Sequence, residues 1–327
     1  MRRATALVAA VTCVASVSGA GPEAVVRDVF LMGTRARLAI WAPNRPDGLD
    51  TLNRALRVLE GTEAELSTWR DDSVISRLNR QPVGNPFRVG DQLCETFAAI
   101  YEWHAATAGT FDPAIGRMTD AWGIHAGGRV PPAPILRDAR ALSGLNHLHF
   151  DRARCEITRR ADVTLDVGAF GKGDALDRVE HALGDRSWMI DLGGQVSVHG
   201  APVGAPAWPV AIAHPRDRAR AWVHVSLTEG SLATSGGSER DETVDGKRVG
   251  HILDPRTGEP ALFDGSVTVW HRRALVADML STALYVMGPA EGTRFAEEHR
   301  IAACYLVPDA NGQVRMLATT SFRRMLS

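Results

Sequence analysis

The segment Leu165-Asp166-Val167-Gly168-Ala169-Phe170-Gly171-Lys172-Gly173 places a carboxylate, several glycines and an ammonium group where an apolar run gives way to a helical pattern. Glycines let backbone N–H groups approach a phosphate, and a helix N-terminus and a lysine both favour negative charge. The spacing matches neither the Walker loop nor the dinucleotide fingerprint, so on its own the segment reads as a phosphate cradle or as a structural turn. A second segment, Ala277-Asp278-Met279-Leu280-Ser281-Thr282-Ala283, has helical periodicity. Asp278 and Thr282 then stand at i and i+4 on one face, an oxygen-only pair suited to magnesium, which keeps other positions for water and phosphate oxygens. Alternatively, Asp278 lies near the helix start and satisfies free backbone N–H groups. The third segment, His251-Ile252-Leu253-Asp254-Pro255-Arg256-Thr257-Gly258, reads as a strand running into a Pro/Gly turn. His251 shares a face with Leu253 there, which suits a satisfied core histidine unless the ring serves a site.

Such groups need a scaffold. Residues 25–41 suggest two strands joined around Met32-Gly33-Thr34, followed by a helix that Asp50 could cap and that carries Leu52, Leu56 and Leu59 on one face. Ser67-Thr68-Trp69-Arg70-Asp71-Asp72-Ser73 reads as a loop opening a short helix at 74–78, with Trp69 more often a packing residue than a ligand-stacking one in such a position. A helix over 91–107 presents Leu93, Phe97, Ile100 and Tyr101, and leads into Gly109-Thr110-Phe111-Asp112-Pro113; residues 127–134 form a surface loop. Apolar segments at 163–167, 188–192, 208–213, 222–227, 249–253 and 266–270 predict strands, with helices at 173–183, 276–287 and 290–299. Asp191-Leu192-Gly193-Gly194 is a tight turn, and Ser235-Gly236-Gly237-Ser238 either faces a ligand or connects two strands. Strands in pairs with separate helices make the fold α+β with mainly antiparallel sheet.

The chain has 327 residues, 45% of them hydrophobic and 23% charged, enough to bury a sizeable core. Its 37 basic and 38 acidic residues leave a formal charge of -1, which provides no basic field for nucleic acid. Arg2 and Arg3 precede an apolar run at 4–17 and the small residues Ser18-Gly19-Ala20, the pattern of a secretory signal over residues 1–20. The run is too short for the ~20 residues of a spanning helix, so residues 21–327 are expected as one soluble exported unit. Cys94, Cys155 and Cys304 then remain, and are expected as packed or semi-buried thiols, with a single disulfide among them as the alternative in an oxidising compartment.

In this order, Met32-Gly33-Thr34, Leu66-Ser67-Thr68-Trp69, the 109–113 and 166–173 segments, Asp191-Leu192-Gly193-Gly194, Ala233-Thr234-Ser235-Gly236, and the 251–258 and 277–283 segments resemble the ApbE family of FAD:protein FMN transferases. The resemblance implies a T-fold-like architecture of two intimately packed α/β subdomains with FAD between them. It implies FAD contacts from Met32, Trp69, Arg70, Asp71, Thr110, Phe111, Asp112, Asp166, Lys172, His251 and Ile252. Magnesium would be held by the Ala169 carbonyl and the Asp278 and Thr282 side chains, with His251 as base. The implied reaction moves FMN from FAD to a threonine hydroxyl of a partner, a membrane-bound electron-transfer subunit exposed to the periplasm, and releases AMP. An FAD pyrophosphatase or a secreted FAD-binding module would use much the same residues. Two segments depart from the family pattern: Gly237-Ser238-Glu239-Arg240 stands where an acidic residue and an aromatic-basic pair are usual, and Gly168-Ala169-Phe170-Gly171 replaces Gly-Gly-Ile-Ala.

Overall fold

Ala24–Leu31 and Thr34–Trp41 form the expected hairpin in the computed structural model, which describes residues 24–237, 241–244, 246–261 and 263–326. The secretory signal expected at residues 1–20, and Ser238 to Arg240 of the departing loop, lie outside the described residues. Met32 and Gly33 make the hairpin turn with φ of 52° and 69°, the double positive φ that matches the twist of paired strands. From this hairpin an eight-stranded antiparallel sheet continues through Ser187–Leu192, Gln195–His199, Glu229–Gly236, Ser266–His271, Ala302–Pro308 and Val314–Ala318.

Alternation along the strands decides what each face meets. Leu38 and Ile40 pack with Leu52 and Leu59 of the Arg45–Leu66 helix and Val179 of the Gly171–Leu183 helix. Ala39, between them, faces the opposite layer with Trp208 and Val225 of the hairpin Trp208–His214 and Asp217–Leu227. Each such aliphatic side chain contributes about 1.5–3 kcal/mol when fully buried. A third helix, Ala274–Glu298, lies against the centre of the sheet.

A second subdomain is built from the helices Val74–Arg80, Asp91–Ala106, Gly116–Trp122 and Ala133–Ala141 and a three-stranded sheet, Pro86–Arg88, Glu156–Arg159 and Leu148–Asp151. Phe97, Phe111, Ile157 and Phe170 share one core with Val267, Met279 and Leu284, so the two subdomains have a common hydrophobic interior. This is the expected α+β, mainly antiparallel arrangement.

Several local expectations are corrected. Asn44, rather than Asp50, caps the first helix, accepting the Asp47 N–H at 3.0 Å ahead of a proline-bearing first turn. Residues 163–167 form no strand: Asn79 bonds both backbone groups of Leu165, at 2.8 and 3.0 Å, and the Asp166 N–H donates to the Pro113 carbonyl at 2.8 Å. The helices expected at 276–287 and 290–299, by contrast, are present: Ala274–Glu298 is two helices meeting at a kink at Gly288, with φ 74° and ψ 173°, just before Pro289. The segment at 249–253 is a strand only to Val249, after which the chain bends and Leu253 keeps a single bridge to Pro260.

The thiol expectation is also corrected. Cys94 and Cys155 form a disulfide between the Asp91–Ala106 helix and the turn before Glu156–Arg159, whereas Cys304 is free and buried, its thiol pushed up to about 12 by burial. The bond closes a loop with a sequence separation of 61. A loop of this length constrains the unfolded chain by up to about 4 kcal/mol. Cys155→Ser should therefore lower the stability of the second subdomain by about 2–4 kcal/mol in denaturant titrations, and a midpoint unchanged from wild type would contradict it.

Candidate active site

The Gly171–Leu183 and Ala274–Glu298 helices begin beside each other and serve each other's ends. Asp278, buried at 4% exposure, accepts the Gly173 N–H at 3.0 Å, and Lys172 Nζ sits 3.1 and 3.3 Å from its two carboxylate oxygens. Reciprocally, Asp177 of the first helix accepts the Ala274 N–H that opens the second. The capping alternative for Asp278 thus holds in altered form: it satisfies a free helix N–H, but of the neighbouring helix rather than its own. The approach requires glycine at 173, because a Cβ there would lie 2.5 Å from the Ala274 carbonyl oxygen and 2.6 Å from Leu275 Cα. One turn beyond Asp278, Thr282 Oγ1 donates to the Asp278 carbonyl at 3.3 Å, and Ser281 Oγ lies 2.9 Å from Ser235 Oγ on the sheet.

The turn from Asp166 into the helix is held at both ends. Asp166 Oδ1 accepts the Gly168 N–H at 2.8 Å, and its other oxygen lies 2.8 Å from His125 Nε2. Phe170, one of the three residues of this turn that depart from the family pattern, is fully buried and anchors the turn in the core. Half-buried Ala169 sits between these anchors. Asp166 and His125 line a cleft of about 540 Å³ with Thr68 and Trp69, within the usual range of ligand pockets. Trp69 is 74% exposed, with its ring edge-on to His125 at 5.4 Å, so it is not the packing residue first expected. Arg70 and Asp71 do not line this cleft and sit in exposed ion pairs with Asp72 and Arg80.

The 110–112 loop is placed by its own side chains. Phe111 is buried in the core, Thr110 Oγ1 donates to the Thr107 carbonyl at 3.0 Å, and Asp112 accepts the Ala114 and Leu145 N–H groups at 2.8 and 3.0 Å. Burial pushes the Asp112 carboxyl up. Met32 is half-buried at the hairpin turn and donates its N–H to Glu63 at 2.9 Å.

His251 lies in the bend after Val249, not on a strand face with Leu253. Its Nδ1 is 3.1 Å from Asp241 Oδ1, which also accepts the His251 backbone N–H at 3.3 Å. Arg248 grips the other oxygen, Nε at 2.8 Å and a terminal nitrogen at 2.7 Å. Burial alone would raise the Asp241 carboxyl, but the hydrogen bonds from His251 and Arg248 outweigh it and hold the carboxyl below its ordinary value. Ile252 packs against the central core, and its carbonyl accepts the Ala261 N–H at 2.8 Å. Tyr285, seven residues after Asp278 on the long helix, lies within electrostatic range of Asp241 and donates to the Phe263 carbonyl at 2.8 Å; burial pushes its phenol up to about 12.

A sequence model of the ApbE family matches residues 32–306, which take in every segment above. The chain belongs to the ApbE family. It is 30% identical to the FAD:protein FMN transferase of Vibrio cholerae serotype O1, over 94% of this chain and 96% of that protein. Among solved structures it resembles the apo flavinyl transferase ApbE of Pseudomonas stutzeri, with TM-score 0.83, 30% identity and coverage of 94% and 98%. It also resembles the ApbE protein of Thermotoga maritima, with TM-score 0.85, 26% identity and coverage of 93% and 100%.

Within this ApbE chain the donors expected for magnesium are a carbonyl, a carboxylate and a hydroxyl. That hard, all-oxygen set fits an ion that takes one or two carboxylates and keeps water or phosphate oxygens. The expected set of functional residues omits His125, Asp241 and Arg248. His125 and Asp241 carry no periodic signal, and only an Asp ten residues before a site histidine could have hinted at the second.

Two predictions follow from the helix pair. Gly173→Ala should cost about 3 kcal/mol, because rigid backbone opposes the added methyl, and should part Lys172 from Asp278; an unchanged melting temperature would contradict this. Burial raises the Asp177 carboxyl to about 6, above the 3.8 of an ordinary aspartate. The folded state therefore binds the proton more tightly, and stability should fall as pH rises from about 4 to 6, by up to about 3 kcal/mol, then level off. Asp177→Asn should remove this fall, so parallel stability–pH curves for the two proteins would disprove the assignment.

Proposed function

We propose that this chain transfers FMN from FAD to a threonine hydroxyl of an acceptor protein, releasing AMP, with magnesium bound at Ala169, Asp278 and Thr282. The observation that carries the proposal is the convergence of Lys172, the Gly173 N–H and buried Asp278 at one helix start, in a chain similar along nearly its whole length to a named FAD:protein FMN transferase. Lys172 and the positive end of that helix attract the FAD pyrophosphate. The metal, when bound, supplies neutralisation of the charge that develops on the phosphates. Trp69 and the cleft beside Asp166 offer a flat π face and a walled space for the ring systems of the dinucleotide. His251 takes the proton of the acceptor hydroxyl as its oxygen bonds to the riboflavin-side phosphorus. The pyrophosphate P–O bond breaks, and its electron pair leaves on AMP.

We further propose that the work is done in the periplasm, on a membrane-bound electron-transfer subunit. The charged-then-apolar start of the chain and the Cys94–Cys155 disulfide support an oxidising, exported setting. Among the described residues no helix is long and apolar enough to cross a membrane.

The test is mass spectrometry of an acceptor domain and of the nucleotides after incubation with enzyme, FAD and magnesium. An FMN-sized gain on a threonine with AMP release is expected, and Asp278→Ala should reduce it at least about 100-fold. Free FMN with AMP and an unmodified acceptor would instead make the protein a pyrophosphatase, and intact FAD would make it a binding module.

A further inference from the structure

The Asp241, Arg248 and His251 cluster is not explained by the metal-side chemistry. We propose that Asp241 is the positioning residue that sets the tautomer of His251, so that Nε2 is the free nitrogen that takes the acceptor proton. The inference rests on the reading of His251 as base. Asp241 Oδ1 receives both the ring Nδ1 and the backbone N–H of His251, at 3.1 and 3.3 Å, so an acceptor fixes the ring from two directions. A backbone N–H can only donate, and Oδ1 of an ionised carboxylate can only accept, so Nδ1 must carry a proton, and in the neutral ring Nε2 is then the bare nitrogen.

Arg248 makes the carboxylate irreplaceable. With Nε and a terminal nitrogen at 2.8 and 2.7 Å from Oδ2, it demands an acceptor on that side as His251 does on the other. Asparagine has only one acceptor oxygen. In Asp241→Asn, the amide oxygen turned to Arg248 would present NH2 to His251 and force the ring to the opposite tautomer. The reverse orientation would set NH2 against the guanidinium.

Gly237 supplies the room. A Cβ at Gly237 would collide with both Asp241 Oδ2 and Arg248, so the pair closes over a residue that has no side chain. Tyr285 borders the same point, 3.0 Å from that Cβ position, and ties the cluster to the helix carrying Asp278 and Thr282.

The test uses the full-length protein labelled with 15N-histidine, together with AMP release and FMN transfer from FAD with magnesium and an acceptor domain. Wild type should have His251 as the Nδ1–H tautomer, assigned by its loss in His251→Ala. Asp241→Asn should convert it to the Nε2–H tautomer and lower kcat about 100-fold with the KM for FAD unchanged. Arg248→Met should keep the wild-type tautomer. In Asp241→Asn/Arg248→Met the asparagine oxygen is free to face His251, so the Nδ1–H tautomer and part of kcat should return, a rescue that a merely structural role would not produce. Asp241→Asn with the wild-type tautomer and kcat would overturn the proposal, as would a double variant no better than the single one. If His251→Ala is as fast as wild type, the base assignment itself fails, and if wild type transfers no FMN, the functional reading fails while the tautomer result still reports on Asp241.

Discussion

Two helices that cap each other hold the site together. Asp278 of the Ala274–Glu298 helix takes an N–H from the start of Gly171–Leu183, and Asp177 takes one from the start of Ala274–Glu298. Burying a carboxylate costs several kcal/mol unless it is paired. Asp278 is offset by Lys172 and by the positive end of a helix. Asp177 is less well compensated, as its raised pKa records. The exchange needs near-contact of the two backbones, which explains why residue 173 has no side chain.

That constraint spreads outward. Once the helix starts are fixed, Lys172 is held toward the second helix, and the preceding turn is pulled taut between Phe170 in the core and Asp166 at the cleft. Asp166 is itself bonded through its backbone to Pro113, beside the 110–112 loop, so the loop is tied to the turn that leads into the helix pair. On the other side, the Ser235–Ser281 bond joins the long helix to the central sheet strand that leads to Gly237. Buried polar contacts of this kind set distances that apolar packing alone leaves adjustable.

Much of this was legible in the residues. The hairpin at Met32-Gly33, the strand at 266–270 and the helices at 91–107 and 173–183 follow from period and turn chemistry, because each buries one face against a neighbour. Residues 163–167 look like a strand because an apolar run reads the same whether its backbone meets a strand or, as here, the side chain of Asn79. The Cys94–Cys155 pairing depends on which turn faces which helix, a tertiary fact that an odd number of cysteines conceals. Trp69 is exposed beside His125 and Asp166, partners distant in sequence. Asp241 was hidden for a similar reason: a carboxylate in a polar loop is unremarked until the bend after Val249 brings His251 back to it.

The long helix shows why its break falls where it does. Asp278, Thr282 and Tyr285 are spaced i, i+4 and i+7, so they share a face and extend over roughly 10 Å of axis. Asp278 and Thr282 stand at one end of that span and the Asp241–His251 pair adjoins the other, through Tyr285. A kink anywhere between would rotate one group away from the other. The helix stays regular through Tyr285 and only then breaks at Gly288, where Pro289 can open a new helical turn without an N–H to lose. Regularity is therefore kept where Asp278, Thr282 and Tyr285 must stay on one face, and relaxed where only packing against the sheet remains to be satisfied.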